Sequence, residues 1–237
     1  MSKNVRAILA EFVGTFTLVF VGTAVATLQG GWLPGYGDTG WLGISLAFGG
    51  TLLVLVLVIG PISGCHVNPA VTLPMLLSRR LPAGPAAGYF LAQMLGATAA
   101  SLTLLALLSG MGDFNVAEHG LGANGNPREM TLLAVFAWEL LLTTLFVFTI
   151  FAATGPEAPA GFPALAIGGF LFVAHLVGAQ LGDSSLNPAR SFGPALVEAF
   201  MGSPAALRLL WIFVAAPLLG GVLGWQLCVL LYNERPQ

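Results

Sequence analysis

Gly182-Asp183-Ser184-Ser185-Leu186-Asn187-Pro188-Ala189-Arg190-Ser191 sets an amide side chain, a proline and a permanent cation side by side in a very apolar chain. The triplet Asn-Pro-Ala occurs once before, at Asn68-Pro69-Ala70. In each copy the Asn suits a helix N-cap, and the Pro suits the first helical turn, where no amide hydrogen is needed. A single capped helix of this kind would be ordinary. Two copies, each opening a short apolar segment, make the pair the centre of the molecule.

The surrounding composition says where such helices would sit. Of 237 residues, 57% are hydrophobic and 8% charged, with a mean hydropathy of +0.89. Soluble domains carry about 25% charged residues, so this chain is expected in a lipid bilayer. A net charge of −2 without a basic cluster excludes nucleic acid as a partner. Cys65 and Cys228 are far apart in sequence, and neither belongs to a cluster of metal-ligating residues at chelating spacing. They read as reduced thiols, and no metal or cofactor is expected. The 31 glycines fall largely inside apolar runs, which suits close helix packing in lipid.

A hydrocarbon core of ~30 Å needs about 20 apolar residues per helix. On that measure six spans are predicted, near 6–28, 41–60, 84–108, 131–153, 162–181 and 207–231. The first is too long for a signal-peptide core and reads as a retained span. Pro69–Ser78 and the apolar part of Gly182–Ser203 are too short to cross. They read as re-entrant half-helices, which must be buried in protein or line a cavity. Lys3, Arg6, Arg79, Arg80 and Arg235 fall on one side of this arrangement, and Arg128 and Arg208 on the other. The positive-inside rule then puts both termini in the cytoplasm of a cell (plasma or inner) membrane.

Glu11 through Phe20 aligns with Glu139 through Phe148, with Glu, Thr and Phe in register. The expected architecture is an all-α membrane protein made of one channel domain over 1–237. It has two repeats, about 1–115 and 125–237, each with three spans and one half-helix. An odd number of spans inverts the second repeat relative to the first, and such repeats place their site at the interface near the midplane. There two half-helix N-termini would aim their positive ends at one point, with Asn68 and Asn187 each offering an amide donor. Glu11 and Glu139 are buried acids. As a pair they could serve catalysis, or each could accept spare backbone amides of a re-entrant loop. Arg190 is expensive in a membrane unless it is paired or faces water.

These residues resemble the aquaporin family, the major intrinsic proteins. The likeness is carried by Ser63-Gly64-Cys65-His66-Val67-Asn68-Pro69-Ala70-Val71-Thr72, by Asn187-Pro188-Ala189-Arg190-Ser191, and by the helix signatures Ala10-Glu11-Phe12 and Trp138-Glu139. It covers essentially the whole chain. The resemblance implies a homotetramer with a pore in every subunit and water as the permeant, and a minimal chain of this kind suits a prokaryotic source. It assigns Glu11 and Glu139 to bracing the loops, His66 to a supporting role, and the selectivity filter to Phe48, His175, Ser184 and Arg190. The carbonyls of Gly64, Cys65 and His66 would line one vestibule and those of the 182–185 segment, Gly182 and Asp183 included, the other. His175 and the small Ser184 fit the water-selective branch, as does Ser191, where glycerol channels usually carry Asp. Two departures are Cys65, where relatives often have Gly, and Phe213-Val214, where water channels often have Phe-Trp.

The alternatives are a broader facilitator for glycerol, ammonia or hydrogen peroxide, and an ion-coupled transporter, which also uses inverted repeats and broken helices. An enzyme is rejected. Gly35-Tyr36-Gly37-Asp38 looks like part of an aspartyl-protease motif but has no partner Asp, and Gly-x-Ser-x-Gly, His-Glu-x-x-His and phosphate-loop patterns are absent.

Overall fold

The structure is a computed structural model that describes residues 1–29, 39–125 and 128–232. Gly35–Asp38 and Arg235 lie outside the described residues. Among those described, the regular elements are all helical: α1 (Lys3–Leu28), α2 (Gly40–Ser63), α3 (Pro69–Leu77), α4 (Ala83–Leu108), α5 (Val116–His119), α6 (Leu132–Ala153), α7 (Pro163–Gly182), α8 (Pro188–Phe200) and α9 (Ala205–Tyr232). Helices α1, α2, α4, α6 and α9 are long and apolar enough to cross a membrane. The 20-residue α7 is the sixth long apolar helix. All six coincide with the predicted spans to within a few residues. A helix satisfies its own backbone, which is why apolar runs of this length take that form in lipid.

Helices α3 and α8 are the half-helices. The nine residues of α3 give roughly 14 Å of rise, about half of a hydrocarbon core. Pro69 and Pro188 occupy their first turns, and Asn68 and Asn187 cap them in extended conformation.

The packing has the two-fold pattern of the repeat. α1 packs on α2 and α4; α6 packs on α7 and α9. α3 crosses to lie against α9, while α8 lies against α4, and α2 meets α7 along the seam between the halves. Exchanging the two halves leaves this set of neighbours unchanged. At the seam Gly49 and Gly168 face each other, and a Cβ on either would come within 2.7 Å of the other's carbonyl oxygen. Glycine is required there because the helices approach backbone to backbone.

The distribution of side chains is that of a multi-pass membrane protein. Val54, Leu57, Val58, Leu91, Leu102, Leu133, Leu165 and Leu230 are exposed on the outside, far more apolar surface than a soluble monomer shows. Inside, Glu11, Gln93, Asn68, Glu139, Asn187, His175 and Arg190 are buried. They share the interior with an apolar cluster that includes Phe48, Leu52, Val67, Phe146, Leu171 and Leu186.

Candidate functional site: a constricted path between the two half-helices

The site is built from the two loops that precede α3 and α8. Cys65 and Val67 in the first loop, and Asp183 and Leu186 in the second, have left-handed backbone, with φ of 52°, 44°, 60° and 57°. Non-glycine residues adopt that region at a cost and stay there only when surroundings hold them. Here the two buried glutamates do the holding. Glu11 accepts the amides of His66 (2.9 Å) and Val67 (2.6 Å); Glu139 accepts those of Ser185 (2.7 Å) and Leu186 (3.0 Å). The same relation recurs in both repeats. Glu11 also accepts from Ser63 Oγ (2.7 Å) and Gln93 Nε2 (2.8 Å).

The Asn side chains each act twice. Asn68 Oδ1 accepts from Ala70 N (2.8 Å), and Asn187 Oδ1 accepts from Ala189 N (3.0 Å) and Arg190 N (3.3 Å). Their amide nitrogens cross to the opposite loop: Asn68 Nδ2 donates to the Leu186 carbonyl (2.8 Å) and Asn187 Nδ2 to the Val67 carbonyl (2.9 Å). These cross-links are invisible in the sequence, because their acceptors are backbone oxygens. They qualify the expectation that both amides are wholly available to a permeant. One N–H of each is committed, and one remains.

Phe48, His175, Ser184 and Arg190 come from α2, α7, the second loop and α8, and they meet. The Phe48 and His175 rings stack at 4.6 Å, and the Arg190 guanidinium lies 4.9 Å over the Phe48 ring. His175 Nδ1 lies 3.0 Å from the Leu171 carbonyl. That contact assigns the proton to Nδ1 and makes Nε2 an acceptor. Arg190 Nη1 donates to the Gly122 carbonyl (2.8 Å). Three buried polar atoms here, His175 Nε2, Ser184 Oγ and Arg190 Nε, have no protein partner. Buried polar atoms without partners are uncommon and point to solvent or ligand.

Three cavities run through these groups. One of about 200 Å³ is lined by Trp41, Gly122, Ser184 and the trio Phe48, His175 and Arg190. A narrow one of about 20 Å³ shares that trio and adds Asn68 and Asn187. A third, of about 60 Å³, lies among Gly64, Cys65, Met75 and Thr154, and shares Leu52, His66 and Phe146 with the narrow one. The narrow cavity shares lining residues with each of the other two, so the three follow one another from the C-terminal ends of α1 and α7 to the N-terminal end of α7 and the C-terminal end of α6.

Other predicted residues have these positions. Pro69, Ala70, Pro188 and Ala189 are buried in the first turns of the half-helices. His66 Nδ1 lies 3.2 Å from Thr72 Oγ1, and its ring meets Tyr89 edge-on. The Asp183 carbonyl accepts from Asn124 Nδ2 (2.6 Å), so it is tied to the loop between α5 and α6 as well as bordering the wide cavity. Gly182 closes α7, and its surroundings lie outside the described residues.

Sequence reasoning missed Gln93, Tyr89, Asn124 and Glu198. Gln93 bridges Glu11 and Thr72, and Tyr89 donates to the Ser63 carbonyl (2.7 Å). Asn124 Oδ1 accepts from Ser191 Oγ (2.7 Å). Polar residues in apolar helices were the available signal for Gln93 and Glu198; nothing local marks Asn124.

Known proteins resemble this chain in sequence and, separately, in fold. The profile described as Major intrinsic protein matches residues 1–228. The chain is 45% identical over 225 residues to a protein named Aquaporin Z from Rhodopseudomonas palustris, covering 93% of this chain and 91% of that one. Proteins of the same name from Bradyrhizobium diazoefficiens and Brucella melitensis are each 42% identical, covering 93% and 91% of this chain and 91% and 92% of theirs. Among solved structures, the aquaglyceroporin from Plasmodium falciparum superposes with a TM-score of 0.81 at 24% identity, over 98% of this chain and all of that one. That likeness is one of fold. With paired half-helices on a six-span frame and a matching profile over nearly the whole length, the chain belongs to the major intrinsic protein family.

Proposed function

We propose that the protein is a passive, bidirectional water channel driven by osmotic gradients. The observation that carries this reading is the narrowing of the path to about 20 Å³ between two wider cavities. A water molecule needs roughly 10–15 Å³ measured in the same way. The constriction therefore has room for about one water at a time, and a molecule of glycerol's size would have to widen it.

The surrounding groups suit water chemically. At the mouth, Phe48 forms an apolar wall while His175 Nε2 accepts, Arg190 Nε donates, and Ser184 Oγ does either. Together they replace the hydrogen bonds that a water molecule loses on leaving bulk. At the centre, the remaining N–H of Asn68 and of Asn187 donates to one water oxygen. The hydrogens of that water then point outward along the file and interrupt a proton-conducting chain. The N-terminal ends of α3 and α8, with Arg190, raise the barrier to cations. The activity is transport and not catalysis.

By positive charge at Lys3, Arg6, Arg79 and Arg80, the termini and the 60 Å³ cavity face the cytoplasm of a cell membrane. A homotetramer with one pore per subunit accords with the family and with the exposed apolar helix faces; cross-linking in membranes tests it, with a monomer as the contrary result.

Stopped-flow light scattering of proteoliposomes tests the function. Expected is shrinkage well above that of empty vesicles, with little uptake of glycerol or urea. Shrinkage no faster than empty vesicles removes the proposal. Rapid glycerol uptake favours the broader facilitator, and dependence on a proton or sodium gradient favours a transporter. Replacing His175 by Gly and Arg190 by Ala together should admit glycerol; unchanged exclusion would move the filter elsewhere.

A further inference from the structure

Glu198 is a buried acid that the proposed water path does not use. It sits on α8, two turns beyond Arg190 on the same short helix. Its Oε1 accepts the Leu121 amide at 2.6 Å and the Ala123 amide at a longer 3.4 Å. These two amides flank Gly122, whose carbonyl holds Arg190 Nη1 at 2.8 Å. The circuit thus starts and ends on α8: Arg190 at its N-terminal end grips a loop that Glu198 grips from its C-terminal end.

The loop is made for this path. Gly120 and Gly122 have φ of 68° and 69°, in the left-handed region. A Cβ on Gly122 would come within about 3.0 Å of Thr23, so the loop lies directly on α1. On its far side Asn124 donates to the Asp183 carbonyl (2.6 Å) and accepts from Ser191, while Gly125 N donates to Asp183 Oδ2 (2.7 Å). Gly122 is held between these tethers and Glu198. Arg190 Nε has no protein partner, and among the described residues the Gly122 carbonyl is the hydrogen-bond anchor of its guanidinium. Whatever places that carbonyl therefore helps to place the cation, together with the Phe48 ring beneath it.

We infer that Glu198 is a positioning residue for solute selection: through the Leu121 and Ala123 amides it fixes the Gly122 carbonyl, which sets Arg190 across the mouth. This rests on the reading of Arg190 as part of the filter. A buried carboxylate accepting backbone amides is a stronger anchor than a neutral acceptor, but the role here depends on reach and not on charge. Because Asn124 remains as a second tether, losing Glu198 loosens the mouth without abolishing it.

The test uses full-length protein in proteoliposomes, with water and glycerol permeability measured on each variant. Glu198→Ala is expected to raise the glycerol-to-water permeability ratio about tenfold, the change that one hydrogen bond of ordinary strength accounts for. Glu198→Gln keeps an acceptor at the same reach and should restore the parental ratio. Glu198→Asp keeps the charge but falls short by a methylene, so it should behave like Ala; it also serves if Glu198→Ala does not fold. Arg190→Ala should raise the ratio further, and adding Glu198→Ala to it should change nothing more, because the two act in series. A parental ratio in Glu198→Ala or Glu198→Asp beside a raised one in Arg190→Ala overturns the inference and leaves the filter reading intact. Additive effects of the two substitutions overturn it as well. A parental ratio in Arg190→Ala removes the filter reading, and this inference with it.

Discussion

The two re-entrant loops share a skeleton and differ in what is added to it. In each, a buried glutamate accepts two consecutive amides, a left-handed residue precedes the Asn, and the Asn caps a half-helix and reaches across to the other loop. In the first loop, the added polar groups (Ser63, Gln93, Tyr89, Thr72) bind the loop to its own half. In the second, Ser185, Ser191 and Asn124 bind the loop outward to the 120–125 segment, and Arg190 projects to Gly122. The first loop borders a cavity of about 60 Å³; the second borders the tight contact of Phe48, His175 and Arg190. The shared parts frame the narrow cavity, and the parts confined to one loop are those on which the proposed selectivity rests.

The largest effects are expected at the glutamates. Glu11→Ala should unfold the first loop, since two buried amides lose their acceptor at about 1–3 kcal/mol each and Ser63 and Gln93 lose theirs as well. Glu139→Ala removes the acceptor of two amides only, so thermal unfolding in detergent should show a smaller drop for it than for Glu11→Ala. Equal drops would mean that the extra bracing of the first loop contributes nothing.

The cross-links offer the next test. Asn68→Ala and Asn187→Ala each lose a cap worth roughly 0.5–2 kcal/mol and one bond to the other loop. The paired loops should then couple, with the double variant departing from additivity by about 0.5–3 kcal/mol in unfolding free energy. Strict additivity would show that the loops are braced independently.

A more local change sharpens the second half alone. A Cβ on Gly22 would strike the Phe48 ring. Gly22→Ala should push the ring toward His175 and Arg190, reducing water permeability, with an overpacking cost of about 1–3 kcal/mol. Unchanged permeability at a lowered unfolding temperature would mean that Phe48 yields away from the path. The smallest effect is expected from Ser191→Ala, which removes one link between the second loop and Asn124. A loss of about 1 kcal/mol in stability with little change in water flow is expected; a large loss of flow would place Ser191 in the path itself.

Much of this was legible in the residues. The six spans and two half-helices followed from apolar run lengths and from Asn-Pro capping, and the structure places their ends within a few residues. The pairing of Glu11 with Glu139 was visible as a repeat, and their loop-bracing role came from the resemblance to the family, since the residues alone also allowed a catalytic pair. Asn124 was not legible, nor were the partners of Gln93 and Glu198 or the commitment of one Asn68 and one Asn187 N–H to the facing loop. Each involves a backbone group as partner or a residue without a repeated counterpart, and a backbone amide or carbonyl carries no signature in sequence.

The amino-acid sequence by itself determined the solvent, the number of crossings, the family and the residue types at the centre. These depend on local quantities: how many apolar residues run together, and which residue starts a helix. The tertiary structure alone decided which atoms remain unpaired, where the path narrows to about 20 Å³, and how a loop near residue 122 comes to orient Arg190. Those properties arise where segments more than forty residues apart compete for the same hydrogen bonds, and only the packed chain settles that competition.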